Sequence, residues 1–449
     1  MHRLQIDLVG DTEGVEVAVR SLRQGVVNLL TGTTALSSDQ FEWITPRKNG
    51  DGNYEALVFP QSAEPYREEE GLLKITRESK ESRFKAPELN SEGETFAAFE
   101  SGKETSIHLS IKAGHEDLAN RTLWVYGVDA PDFPGKENIP SYPPYVSTFP
   151  EGAWFRWDWT FREFQYLTWK EGCGWYDCNK SAEYNENDAN LCWAAAASNL
   201  LIWWMVQNKD YIEAYDQDYG STVKSTVDDR VFERPAADFK PLYATDGSVN
   251  RAPVFEFFKK SFPNMGSWEV GAINWFITGY QSGNMAAPTY KGFPGFFANV
   301  FKRSDQVTVE AKHSPDSEEF NDFMINALLN KQSIGFSAFD IAGSGTGNHA
   351  LVIWGAEFDE SGLISHIYYC DNNNADQDAN GAAISRGKIV YLEDSSIPEL
   401  GTQECTYITQ LDNEEGNPSK PYKITSIYSV DMRMDLWEQK YPSVAETKN

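Results

Sequence analysis

With 449 residues, 14 tryptophans and 26 phenylalanines, the chain has room for about two or three domains and the aromatic content for sizeable cores. A formal net charge of −28 and a pI near 4.6 argue against nucleic acid and anionic membranes as partners, since both carry the same sign. No run of about 18 apolar residues is present, so no transmembrane helix is expected, and residues 1–7 lack the long apolar core of a signal peptide.

Residues 1–114 read as all-β. Short β-rich runs at 6–9, 15–19, 56–60, 72–75 and 107–111 are separated by polar turns, a spacing that predicts a sandwich. The runs Ala56-Leu57-Val58-Phe59-Pro60-Gln61 and Phe99-Glu100-Ser101-Gly102-Lys103 resemble fimbrillin-like domains of bacterial surface and pilus proteins. That resemblance implies an accessory domain, a spacer or anchor-proximal unit. Residues 115–122 form a polar join, and 123–449 make the second domain.

Pro131, Pro134, Pro140, Pro143, Pro144 and Pro150 dot the next stretch, and Trp154, Trp157 and Trp159 after it need burial. It reads as an extended arm laid over the domain surface. Helices are expected at 192–215, 253–261 and 317–330. Strands are expected at 332–338, 349–357, 363–371, 386–392 and 421–430, building one antiparallel sheet.

Cys192 opens the helix Leu191-Cys192-Trp193-Ala194-Ala195-Ala196-Ala197-Ser198-Asn199-Leu200-Leu201-Ile202-Trp203-Trp204-Met205. The alanine run favours helix, and Ala197, Leu201 and Trp204 share a face. Asn190 is the expected N-cap, which puts Cys192 in the first turn. There the helix dipole and free N–H groups favour a thiolate, the nucleophilic form.

Downstream, Asn348-His349-Ala350-Leu351-Val352-Ile353-Trp354-Gly355 and Leu363-Ile364-Ser365-His366-Ile367-Tyr368-Tyr369-Cys370-Asp371 flank an Asp-Glu-Ser-Gly turn, a hairpin pattern. The midpoint between His349 and Asp371 is Glu360, inside the turn. A hairpin folded there sets His349 and Asp371 directly opposite each other. A carboxylate against an imidazole fixes its tautomer and stabilises its cation. Taken singly, a cysteine before alanines is more often a small core residue, a strand histidine is more often structural, and Asp371 could form a turn with Asn372, Asn373 and Asn374. The three in one pattern point to nucleophilic catalysis.

These residues also carry a family resemblance. Gly174-Trp175-Tyr176-Asp177, Lys180, Leu191-Cys192, Trp203-Trp204 and Gln207-Asn208-Lys209-Asp210 resemble the core of the IdeS/Mac family of secreted, papain-like cysteine endopeptidases that cleave immunoglobulin G. Phe255-Glu256-Phe257-Phe258-Lys259, Phe276-Ile277-Thr278-Gly279-Tyr280, Phe301-Lys302-Arg303-Ser304-Asp305-Gln306 and Trp354-Gly355-Ala356-Glu357-Phe358-Asp359 follow in order, so the likeness spans residues 123–428. It implies an α+β fold, a papain-like cysteine protease domain preceded by an all-β sandwich domain. It implies Cys192 as nucleophile, His349 as base, Asp371 as the orienting carboxylate and Lys180 as a donor that helps the Cys192 N–H hold the oxyanion. It further implies a secreted or cell-surface protein trimmed of its signal, acting on a host protein such as immunoglobulin, with no cofactor and no metal. Two positions depart from the family. Trp193 stands where the family has glycine, which narrows the site. Asn373 stands where the family has a second acid, which leaves weaker support for the imidazolium.

The same Cys, His, Asp order suits transglutaminase-like acyl transfer, with an amine replacing water. A non-catalytic surface adhesin could also use the fold, but intact Cys192, His349, Asp371 and Lys180 argue against it. Cys173 and Cys178 flank the Gly-Trp-Tyr-Asp motif and form either a small disulfide loop or two buried thiols. Cys370 points to the face opposite Asp371, and Cys405 has no assigned role. The glycine-rich run at 343–347 predicts a flexible loop that borders the site and gates access. The stretch from Asp371 to Asp376 lacks the glycine and closing glutamate of a calcium loop.

Overall fold

The computed structural model describes the chain except residues 11, 13, 23–24, 28–33, 37–39, 51, 69, 78–79, 88–94, 112–114, 143–148, 160–161, 181–187, 241–251, 284, 312, 340–346, 374–380, 395–401, 410–420 and 449. It divides into two compact units, Met1–Ala113 and Gly114–Asn449. Among the described residues no helix is long and apolar enough to cross a membrane.

In Met1–Ala113, two four-stranded sheets share one core. One sheet runs Glu104–Ile111, His2–Gly10, Asn53–Val58, Arg47–Gly50, and the other Lys80–Phe84, Leu73–Arg77, Glu16–Leu22, Phe41–Ile44. Strand alternation sets the core. Leu4, Ile6 and Leu8 point inward from the first sheet, and Val17, Val19, Leu73 and Ile75 from the second. Each such side chain contributes about 1.5–3 kcal/mol by leaving water.

The second unit mixes helices with an eleven-stranded sheet. The helices are α1 (Cys192–Gln207), α2 (Lys209–Tyr219), α3 (Pro253–Ser261), α4 (Glu269–Thr278), α5 (Ser317–Leu329), α6 (Met434–Lys440) and α7 (Pro442–Lys448). Within the sheet, antiparallel pairings close a ring through Asn348–Phe358, Ser333–Phe339, Tyr422–Val430, Gln403–Thr409, Ala383–Asp394 and Ile364–Cys370. α1 packs on Asn348–Phe358 and on Ser333–Phe339. Every residue from 193 to 205 is buried, which is why this helix is apolar all round rather than striped.

Several expectations need correction. The helix expected over 192–215 breaks at Asn208, whose side-chain amide turns back to the Trp204 carbonyl oxygen and reaches the Met432 carbonyl oxygen. The N-cap is Leu191, with no side-chain cap, and not Asn190. Asn190 instead donates its backbone N–H to Asn264 Oδ1. The aromatic arm is part of the sheet. Trp154–Trp159 pairs with Arg162–Thr168, which pairs with Ala383–Asp394, so Trp154, Phe155, Tyr166 and Leu167 are buried by strand pairing. α4 and α6 were not expected. α4 is buried along its whole length, and α6 inserts Trp437 against Trp204, Phe297 and Phe301.

Candidate active site

The hairpin that carries the histidine and the acid closes one residue later than its midpoint suggests. The Asp359 N–H donates to the Leu363 carbonyl oxygen, and Asp359 Oδ1 accepts from the backbone N–H groups of Ser361 and Leu363, which centres the turn on Ser361. The ladder therefore pairs Val352 with Cys370 and Ile353 with Tyr369, with register shifts between Ile353 and Gly355 and between Glu357 and Phe358. Carried on one step, the register puts Leu351 opposite Asp371. His349 is its diagonal neighbour on the same face, and not its direct partner as expected. The diagonal is still within reach of a long side chain.

His349 Nε2 lies 2.7 Å from Asp371 Oδ1, and both side chains are buried. That leaves Nδ1 for the Cys192 thiol, with which the ring shares a hydrogen bond. Burial opposes the imidazolium, but the charge and hydrogen bond of Asp371, with those of Cys192, push His349 up to about 9. Burial also opposes the Cys192 thiolate. The His349 hydrogen bond and charge, the Ala350 backbone and the Lys180 charge outweigh it, and the thiol lies below its ordinary value. Asp371 is held below the usual carboxylate range: burial would raise it, but His349 and the Asn373 N–H prevail. The thiol, the imidazole and the carboxylate thus form one line, with the thiol and the acid lowered and the imidazole raised. Cys192 is partly exposed, at the first position of α1, where its N–H has no intrahelical acceptor.

Asn373 acts through its backbone. Its N–H donates to Asp371 Oδ1 at 3.0 Å, while its side chain is exposed. The residue before it was not expected to matter. Asn372 is buried, and its side-chain amide donates to the carbonyl oxygens of Ala350 at 2.8 Å and Cys192 at 3.2 Å. In sequence it is one amide in an Asn run, so nothing there separates it from a turn former. Lys180 is tied to the same loop, its N–H donating to the Asn372 carbonyl oxygen. Its Nζ donates to the Ala189 carbonyl oxygen at 2.8 Å, and its charge lowers the proton affinity of both Cys192 and Asp371.

A cavity of about 390 Å³ opens beside Cys192. Trp193 forms part of its wall, with the ring edge-on to Phe262 and the indole N–H donating to the Met265 carbonyl oxygen at 2.9 Å. Of the two readings of Cys173 and Cys178, the structure has free, buried thiols, both raised by burial. Cys370 and Cys405 are also buried. Among the described residues no group of three or more His, Cys, Asp and Glu side chains could hold a metal. Most of the glycine-rich loop, 343–346, and residues 374–376 of the calcium-like stretch lie outside the described residues.

Comparison with known proteins adds a family and a relative. The family model described as Mac 1 matches residues 161–404, just over half of the chain and including Lys180, Cys192, His349, Asp371, Asn372 and Asn373. The chain is 26% identical over 289 residues to an IgM protease of Streptococcus suis (strain P1/7), covering 62% of this chain and 23% of that protein. The chain thus spans about a quarter of the length of the relative it matches.

Proposed function

This chain belongs to the Mac 1 family, and on that premise we propose that it is a papain-like cysteine endopeptidase that cuts an immunoglobulin. The Cys192 thiolate attacks the scissile carbonyl carbon. The oxyanion that forms is held by the Cys192 N–H at the start of α1 and by Lys180, once its amine leaves the Ala189 carbonyl oxygen. His349 gives its proton to the departing amine as the C–N bond breaks, leaving a thioester on Cys192. It then takes a proton from water, the resulting attack releases the acid, and the thiolate–imidazolium pair is restored. Asp371 holds the ring so that Nδ1 stays on the thiol.

The observation that carries this reading is the 2.7 Å bond between His349 Nε2 and Asp371 Oδ1, on a ring whose other nitrogen meets Cys192. A helix-borne thiol packed on a closed antiparallel ring supports the papain-like description. The similarity to an IgM protease supports an immunoglobulin substrate, and such a substrate requires action outside the cell or at its surface. The two-sheet core of Met1–Ala113 agrees with a sandwich, and we assign that unit the accessory, fimbrillin-like role.

The test is incubation of the full chain with purified immunoglobulins M, G and A, with new termini mapped by mass spectrometry. One new pair of termini, absent with Cys192→Ala, is expected. Intact immunoglobulins, or cleavage by the alanine variant, would overturn the reading.

A further inference from the structure

The cavity beside Cys192 has walls whose chemistry the peptide-bond reaction does not use. Trp193 and Trp268 form apolar sides, Ser337 and Ser426 are hydroxyl groups on neighbouring strands, and two carboxylates, Glu269 and Glu310, line the space. Glu269 is 5% exposed at the first position of α4, and its Oε1 accepts from the Ser337 hydroxyl at 2.8 Å. None of the described residues lining the cavity is lysine or arginine.

A second observation comes from Tyr428. It lies two residues from Ser426 on the same strand, so both project from the same face. It is paired directly with Glu310 across one edge and with Gly335 across the other. Its ring fills the space over Gly335, where a Cβ would meet the ring at 2.2 Å. Its hydroxyl is buried and has no hydrogen-bond partner, and it stands in the field of Glu269, Glu310 and Cys192. An unused hydroxyl able to accept a hydrogen bond therefore stands in the field of the two carboxylates that line the cavity, without itself being part of the lining.

We propose that this cavity is a subsite for a basic side chain, arginine or lysine, of the protein substrate next to the cleaved bond. The proposal deepens the protease reading and rests on it. A guanidinium or ammonium brings N–H donors, and the cavity lining offers acceptors to them: two carboxylates and the seryl oxygens. Burial raises the proton affinity of Glu269, and the Glu310 charge adds to it, while burial also raises Glu310. An incoming cation offsets that cost for both groups. The tryptophan walls accept the apolar stem of the same side chain. An acidic side chain would meet like charge and be rejected.

The test uses the full chain and reads the rate at which iodoacetamide alkylates Cys192, followed by mass spectrometry. The rate is measured with n-butylguanidinium or with its neutral counterpart n-butylurea present. In the wild type the guanidinium is expected to slow alkylation saturably, and the urea is not. Glu310→Gln and Glu269→Gln are each compared with their own unprotected rate. Each is expected to raise the half-protecting concentration about tenfold or more, the scale of a charged hydrogen bond. Equal protection by the urea, no protection by the guanidinium, or protection that survives in Glu310→Gln would overturn the proposal. Glu310 is only partly desolvated and far more accessible than Glu269, so its variant is readable even if Glu269→Gln folds poorly. Alkylation needs no peptide cleavage, so failure of the protease reading shows separately, in the immunoglobulin digest.

Discussion

Asn372 Nδ2 lies 3.2 Å from the Cys192 carbonyl oxygen and ties the loop that carries Asp371 to the helix that carries the thiol. The same amide reaches the Ala350 carbonyl oxygen, one residue beyond His349. One side chain therefore fixes the spacing of Cys192, His349 and Asp371 without touching the thiol, the imidazole or the carboxylate. Removing it takes a buried donor from the Ala350 carbonyl oxygen and a second donor from the Cys192 carbonyl oxygen, which keeps its place in the helix. Asn372→Ala is expected to cost about 1–3 kcal/mol of stability, the penalty for orphaned buried polar groups. The shift in denaturant midpoint at constant slope measures this. In cleavage assays kcat should fall more than KM rises, because the loss is of alignment. An unchanged midpoint together with an unchanged kcat would show that the amide bonds are dispensable.

The pH dependence follows from the shifted groups. His349 is raised from 6.5 to about 9, so its ion-pair contribution to stability is complete below 6.5 and is lost as pH rises through about 9. Cys192 and Asp371 are lowered, so their contributions are lost as pH falls through their folded values. The reactive pair exists between the lowered thiol and the raised imidazole, and kcat/KM should describe a bell whose alkaline limb lies near 9. Asp371→Asn removes the largest group raising His349. Its alkaline limb should move to lower pH, and turnover should drop by about 100-fold or more. An alkaline limb that stays in place would detach Asp371 from the imidazole.

Which residues come together at this site was legible from residue types, and their register was not. Cys192 at a helix start, His349 on one strand of a hairpin and Asp371 at the end of the other followed from pattern alone. The register did not, because the Asp359 side chain recentres the turn on Ser361 and two register shifts follow. Asn372 and Glu269 were missed because an amide in an asparagine run and an acid at a helix start look like ordinary turn and cap residues. α4 was missed because it is buried on every side, so its apolar residues show no period. The arm became two strands because Trp154, Phe155 and Tyr166 are buried by pairing rather than by docking.

The unit boundary gives a fragment prediction. Leu118 is fully buried, and the Asn120 N–H donates to the Asp359 carbonyl oxygen at the hairpin that carries the site. A fragment beginning near Asn120, the point the polar join suggests, would lose Leu118. One beginning at Gly114 keeps it, together with the Thr122–Trp124 strand that pairs with Asn348–Phe358. The Gly114 fragment is expected to fold and to alkylate Cys192 at the full-length rate, and the Asn120 fragment to unfold at lower denaturant. Loss of alkylation in the Gly114 fragment would assign the first unit a part in building the site.

Lys180 offers two roles that one variant separates. Its amine bonds the Ala189 carbonyl oxygen, three residues ahead of the thiol, and its charge favours the Cys192 thiolate. Lys180→Ala removes that charge, so the thiol rises and the acid limb of the alkylation profile should move to higher pH. This shift requires no oxyanion contact. If the amine also turns onto the oxyanion, kcat falls by roughly 100-fold with little change in KM, the scale for one lost donor. Lys180→Arg keeps the charge and changes the geometry. It should restore the acid limb, and it should restore kcat only as far as the longer guanidinium reaches the oxyanion. A moved acid limb with kcat intact would leave the oxyanion to the Cys192 N–H alone. An unmoved limb with kcat intact would make Lys180 a link between loops, held by its bonds to Ala189 and Asn372.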